Sequence, residues 1–256
     1  MSAEQPKLYT ELAGWWQLVS PTEDYADEAA FFEGLFRAEN AKTVLELGSG
    51  GGNIAWFLKE HFTLTLTDLS DGMLAESKKQ NPELEHIRGD MRTLRLGRTF
   101  DGVLIHDAIM YMTTEEDLRA ALATACEHCK PGGMVVIAPD WVAETFRPQT
   151  MHEGGDEGER GVRYLEWVWD ADPDDTEVNC EYILALKDGD ELRTVVDRQI
   201  VGVFPRATWL RLLEEAGFEA TVLEDPSTGG ERSEVLLGRR SWQPGHSAGP
   251  DPADQD

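Results

Sequence analysis

Apolar positions recur along this chain with two periods, and the alternation of those periods outlines a fold. Residues 8–19 set Leu8, Tyr9, Leu12, Trp15, Trp16 and Val19 on one helical face, and Ser20-Pro21 ends the run. A second helix is predicted from Tyr25 to Ala38, with Ala29, Phe32, Leu35 and Phe36 inward. The pattern then shortens to strands. Val44–Leu47 and Phe100–Ile105 are nearly continuous, as buried parallel strands are, while Phe62–Asp68 alternates. Leu84–Asp90 and Met134–Ala138 complete a set of five strands. Helical runs stand between them at Ile54–Lys59, at Asp71–Lys79 behind the N-cap Ser70, and at Glu115–His128. Thr113-x-x-Glu116 reads as a capping box for the last of these. Strands alternating with helices predict an α/β fold around a mostly parallel sheet.

Residues 141–204 break that rhythm. Val178, Cys180, Tyr182, Leu184 and Leu186 alternate onto one face, Asp188-Gly-Asp190 turns, and Leu192–Val203 returns. With Val162–Trp169 as a third strand, this is an antiparallel β insertion at the sheet's ligand edge. The acidic runs Glu153–Glu159 and Asp170–Asp175 lack an EF-hand spacing and read as solvated loops. A helix ending at Gly217 and strands Glu219–Leu223 and Val235–Arg239 then close the sheet with an antiparallel hairpin. The expected division is a helical cover (1–40), a ligand-binding core (41–140), the β insertion (141–204), the rest of the core (205–240) and a disordered tail (241–256).

Composition narrows the function. The 256 residues carry 49 acids against 23 bases, a formal charge of −26, which repels phosphate backbones and argues against nucleic acid as substrate. The chain lacks an apolar run long enough to span a bilayer, and its start is unlike a signal peptide, so a soluble cytoplasmic protein is expected. Cys126-Glu-His-Cys129 has no second metal-binding motif to complete it, so no metal is expected.

The candidate chemistry lies at three successive strand ends. Glu46-Leu-Gly-Ser-Gly-Gly-Gly52 joins a strand to a helix, where glycine lets main chain and ligand approach closely. Asn53 occupies the last glycine slot of a dinucleotide fingerprint, and no lysine completes a P-loop. Asp68 closes the second strand, where a carboxylate can accept from both hydroxyls of a ribose. Asp90 and Met91 end the third and suit an adenine, one accepting from its amino group and the other packing on the ring.

Glu46-Leu-Gly-Ser-Gly50, Asp68-Leu-Ser-Asp-Gly-Met73, Gly89-Asp-Met-Arg92 and Lys130-Pro-Gly-Gly133 resemble the motifs of class I S-adenosylmethionine (SAM) methyltransferases over about residues 5–240. The leading Leu-Tyr helix, Gly-Asp-Met-Arg and the β insertion are similar to the bacterial sugar N,N-dimethyltransferases of macrolide biosynthesis. The resemblance implies a Rossmann-like seven-stranded methyltransferase sheet. It implies that SAM, leaving as S-adenosylhomocysteine (SAH), lies on Gly48 and Gly50, with Glu46 behind its ammonium and Asp68 on the ribose. Leu69, Met73, Asp90 and Met91 would frame the adenine, His106 would sit near the sulfonium, and Tyr9 would close over the cofactor. The chain departs from the sugar enzymes at Tyr111, where they carry a histidine. Methyl transfer from a sulfonium is an in-line displacement that needs mainly alignment and exclusion of water. His106 and Tyr111 are the catalytic candidates, the first as base. Tyr25, Asp107, Tyr111 and Trp141 are the candidates for holding a small-molecule N or O acceptor, and exposed strands in the insertion make a homodimer plausible. The alternatives are a non-catalytic SAM-binding protein of this fold and an NAD(P)-dependent oxidoreductase.

Overall fold

A computed structural model describes residues 5–226 and 234–241. The elements are α1 (Trp16–Val19), α2 (Ala26–Ala38), β1 (Thr43–Leu47), α3 (Asn53–Leu58), β2 (Thr63–Asp68), α4 (Asp71–Gln80), β3 (Glu85–Arg88), β4 (Phe100–His106), α5 (Glu115–His128) and β5 (Cys129–Ala138). They continue with β6 (Gln149–Glu153), β7 (Asp156–Glu157), β8 (Arg160–Trp169), β9 (Glu177–Asp188), β10 (Glu191–Gly202), α6 (Arg206–Ala216), β11 (Phe218–Glu224) and β12 (Glu234–Arg240).

The main sheet has seven strands in the order β11-β12-β5-β4-β1-β2-β3, parallel except where β12 runs against β5 and β11. Alternate residues of the same strands feed two cores, one on each face. Leu45, Leu47, Val103, Ile105, Val135 and Ile137 pack with α5 and α6. Val44, Leu64, Leu66, Leu104, Met134 and Val136 pack with α2 and α3. Both faces are covered, which is why the central strands read as unbroken apolar runs. The insertion forms a second, antiparallel sheet ordered β10-β9-β8-β6, with β7 on β8. The expected fold class is met in both sheets.

Four local expectations change. The helix expected over 8–19 is broken into 3-10 turns at Lys7–Tyr9 and Ala13–Trp15 and the single-turn α1. Long-range bonds override its period, because the N–H groups of Lys7 and Leu8 donate to Asp197 at 2.9 Å each. The N-cap of α5 is Thr114, whose hydroxyl accepts from the Asp117 N–H at 3.1 Å. The Thr113 carbonyl instead accepts from the Thr176 hydroxyl at 2.7 Å. β5 begins at Cys129, with the Lys130-Pro-Gly-Gly133 segment absorbed as a register shift opposite Phe100 and Gly102. Finally, β7 and the last residue of β6 occupy ground read as an acidic loop; both strands are exposed throughout, so they carry no alternating signal. Of the tail expected from 241, residues 242–256 lie outside the described residues.

Candidate active site

The glycine turn after β1 is built from positive-φ positions, with φ of 77° at Gly48, 52° at Gly50 and 80° at Gly52. Gly48 is further constrained by contact. A Cβ there would lie 2.3 Å from Cβ of Ala108, just past β4, and 2.9 Å from Cε of Met91, just past β3. Three strand ends therefore meet on this one glycine. Asp68 fixes the turn from the neighbouring strand: one carboxylate oxygen accepts from the Gly50 N–H at 2.9 Å and the other from the Ser70 N–H at 2.7 Å. Burial pushes its carboxyl above the usual range, and these N–H groups oppose that shift. Met73 reaches within 3.6 Å of where a Gly50 Cβ would stand.

Glu46 lies behind the turn and is 3% exposed. Burial pushes its carboxyl up to about 8; His106 draws it down and Asp68 adds to the rise. Its Oε2 has no hydrogen-bond partner among the described residues, and neither has the hydroxyl of Ser49. A buried carboxylate oxygen left unmet is costly, and a cationic group placed there would relieve it.

His106 ends β4 and is also buried. Its Nε2 lies 3.0 Å from Glu28 Oε2 on α2 and 3.3 Å from Asp107 Oδ1. The rings of Tyr25 and Phe32 meet its ring edge-on at 5.9 and 5.8 Å. Tyr25 also shares a 2.5 Å hydrogen bond with the Ser20 hydroxyl.

The N-terminal segment lies across these strand ends. Trp16 sits on Gly51, where a Cβ would meet its indole at 2.3 Å. The Tyr9 carbonyl accepts from the Ser70 hydroxyl at 2.5 Å, and its phenol oxygen lies 2.8 Å from the phenol oxygen of Tyr111. Burial raises both phenols far above their ordinary values. Two surface hollows of about 450 and 500 Å3 lie elsewhere, one between α2 and α3 and one at the opposite edge of the sheet.

Leu69 is exposed, with its carbonyl accepting from Arg88 at 3.2 Å. Asp90 is engaged by a neighbour: Arg92 donates to both its oxygens, at 2.6 Å from one guanidinium nitrogen, and also reaches Asp117 at 2.9 Å. That pairing holds the Asp90 carboxyl below its usual range. Trp141 packs edge-on against Phe146 and onto the apolar cluster of Met110, Val178 and Val201 beside Tyr111. Sequence reading gave no site role to Trp16, Glu28, Asp197 and Gln199, and it read Ser70 only as the cap of α4 and Arg92 only as part of a motif. Asp197 and Gln199 carried a signal, since they place polar groups at inward positions of β10, between Val195 and Val201.

The profile of a methyltransferase domain family, described as "Methyltransferase domain", matches residues 44–133, the span from β1 into β5. Streptomyces venezuelae dTDP-3-amino-3,4,6-trideoxy-alpha-D-glucopyranose N,N-dimethyltransferase is 31% identical over 212 residues, covering 81% of this chain and 89% of that protein. The chain belongs to the class I SAM-dependent methyltransferases, of the sugar N-methyltransferase type. The crystal structure of Streptomyces venezuelae DesVI superposes with a TM-score of 0.77 at 27% identity, over 85% of this chain and 92% of that one. SAM-bound CalS10, an amino pentose methyltransferase from Micromonospora echinaspora, gives 0.74 at 26% identity, over 84% and 91%. The methyltransferase is thus an enzyme that uses SAM on a small-molecule acceptor, and the oxidoreductase and non-catalytic alternatives are set aside.

Proposed function

We propose that this methyltransferase methylates the amine nitrogen of an amino sugar, with the cofactor on the glycine turn and the acceptor between that turn and the insertion, residues 141–204. The placement of the cofactor is carried by the buried Glu46 carboxyl with an unmet oxygen behind Gly48, a complement to the ammonium of SAM. Asp68 serves the ribose: each of its oxygens accepts one N–H and keeps a lone pair for a hydroxyl. Leu69, Met73 and Met91 supply apolar flanks for the adenine, and Asp90, held by Arg92, lies at its edge.

The cofactor supplies a methyl group already activated on a sulfonium. What the chain adds is alignment and the exclusion of water. Trp16 and Tyr9 cover the turn. Tyr9, Tyr111 and Tyr25 orient the acceptor, with Asp107 at its amine and Trp141 behind Tyr111. Beyond the effect of burial, carboxylates act on this side: Asp107 and Asp140 on Tyr9, and Glu166 on Tyr182. A protonated amine is drawn to such a place, and it must lose a proton before its nitrogen can attack. His106, held between Glu28 and Asp107, is the side chain we assign to receive that proton.

The relatives named for dTDP-linked amino sugars support this acceptor class. The test is turnover of radiolabelled SAM with a panel of dTDP-3-amino sugars, dTDP-4-amino sugars and simple phenols. Label transferred to an amino sugar supports the reading, and label transferred to phenols alone rejects it. We also assign the protein to the cytoplasm as a homodimer. Its three cysteines are unbonded, as in a reducing compartment. The outer face of the second sheet leaves Trp167, Ile183, Leu192, Val196 and Ile200 exposed.

A further inference from the structure

β10 carries two polar side chains on the inward face of the insertion, Asp197 at 3% and Gln199 at 5% exposure. Burying a carboxylate and an amide on an apolar sheet face is costly unless each is satisfied, so their partners show what the burial serves. Asp197 Oδ1 accepts from the N–H of Lys7, and Oδ2 accepts from the N–H of Leu8, both at 2.9 Å. These are the two residues before Tyr9. Oδ2 also accepts from the Gln199 side-chain amide at 3.2 Å.

That last bond decides which way Gln199 points. A carboxylate only accepts, so the amide nitrogen faces Asp197 and the amide oxygen faces the other way. There it accepts from the Tyr111 hydroxyl at 2.5 Å. Tyr111 has a single proton and a second acceptor in reach, the Tyr9 phenol oxygen at 2.8 Å. One buried carboxylate therefore governs both members of the phenol pair. It fixes the backbone leading into Tyr9 and, through Gln199, the hydrogen bonding of Tyr111. The Tyr9 carbonyl in turn accepts from the Ser70 hydroxyl at 2.5 Å, and Ser70 caps α4 two residues after Asp68. The chain of contacts runs from the insertion to the cofactor side without a gap.

We propose that Asp197 and Gln199 are positioning residues for methyl transfer: Asp197 fastens the N-terminal segment over the site, and Gln199 sets the Tyr9–Tyr111 phenol pair against the reacting groups. The proposal rests on the reading above that these phenols face the acceptor and cofactor. It makes the β insertion a part of the catalytic machinery, joined to a segment some 190 residues earlier in the chain.

The test compares Gln199→Met, Tyr111→Phe, the double variant and Asp197→Asn. Initial rates are read with SAM and a dTDP-3-amino sugar, and SAH affinity is read by calorimetry, which also reports folding. Gln199→Met keeps the volume and removes the amide. We expect it to lower kcat at least tenfold with SAH affinity changed less than threefold, and to add nothing to the loss caused by Tyr111→Phe. Asp197→Asn leaves one of the Lys7 and Leu8 N–H groups without an acceptor, and should weaken SAH at least fivefold as well. A residue that served folding alone would lower only the folded fraction, leaving kcat and SAH affinity of the surviving protein unchanged. That result overturns the proposal. If Tyr111→Phe lowers kcat and Gln199→Met does not, the proposal falls while the site reading stands. If neither Tyr111→Phe nor Tyr9→Phe alters kcat, the site reading falls and takes the proposal with it. Should Gln199→Met fail to fold, Gln199→Asn keeps a polar group beside Asp197 but withdraws the amide oxygen from Tyr111, and the same losses are expected from it.

Discussion

Asp68 and Gly50 are joined by one hydrogen bond of 2.9 Å, in which the backbone N–H of the turn donates to the carboxylate ending the next strand. The same carboxylate accepts from Ser70 at 2.7 Å, so a single side chain sets both the glycine turn and the start of α4. An asparagine can offer its oxygen to only one of these donors and turns an NH2 toward the other. Asp68→Asn should weaken SAM binding at least tenfold, about 1.4 kcal/mol, by calorimetry. Unchanged affinity would remove Asp68 from the cofactor site.

Glu46 makes both stability and cofactor binding depend on pH. Its folded carboxyl is pushed up to about 8 from an ordinary 4.5, so between those values the folded chain holds a proton that the unfolded chain has released. Stability of the ligand-free protein should therefore fall as pH rises through that window. SAM affinity should move the other way, rising with pH toward 8, because the ammonium favours the ionised carboxylate. Glu46→Gln should flatten both profiles, as read by thermal melts and titrations across the window. A binding profile left as steep in the variant would show that another group is responsible.

His106 stands between Glu28 and Asp107 at ion-pair distance. His106→Ala should lower kcat by about a hundredfold, within the usual range for a lost general base, with little change in SAM affinity. Glu28→Gln should give a smaller loss in the same direction. Equal losses in turnover and SAM affinity would recast His106 as a binding residue.

Arg92 holds the turn that presents Met91 to Gly48, by pairing with Asp90 and Asp117. The guanidinium is partly exposed, so solvent screening limits what the pairs contribute. Arg92→Ala should cost about 1 kcal/mol in denaturant unfolding and raise the KM for SAM more than that for the acceptor. Asp90 is the depressed group here, so its share of stability is present at neutral pH and lost as pH falls into the acid range. The variant should accordingly lose less on acidification than the parent.

The apolar outer face of the second sheet is the expected dimer contact. A stable interface of this kind buries about 800 Å2 on each partner. Sedimentation velocity should show a dimer for the parent chain and a monomer for the pair Trp167→Lys and Ile200→Lys. A parent chain that sediments as a monomer ends the assignment.

The core of the fold was legible because its signals are local. Glycine at positions 48, 50 and 52 answers to positive φ, and Phe100–Ile105 reads as a strand covered on both faces because it is one. Asp68 was readable from its place at a strand end. Thr113 was mistaken for the cap of α5 because two adjacent threonines are equivalent to a spacing rule, and a contact with Thr176 separates them. Periodicity assigned Tyr9 to a helix that does not form, since its backbone is held from β10.

By its own order of residues the chain determined the strand–turn–helix units and the presence of the insertion, because these depend on φ preferences and on periods of two and 3.6 residues, while the cofactor class was legible only through the resemblance of its motifs to a known family. Only the tertiary structure decided which side chains share the site. Glu28 beside His106, Trp16 on Gly51, and Asp197 with Gln199 behind Tyr9 and Tyr111 come from distant parts of the chain. A period tells which face a residue occupies; the partner across that face is set by how the sheets and segments pack.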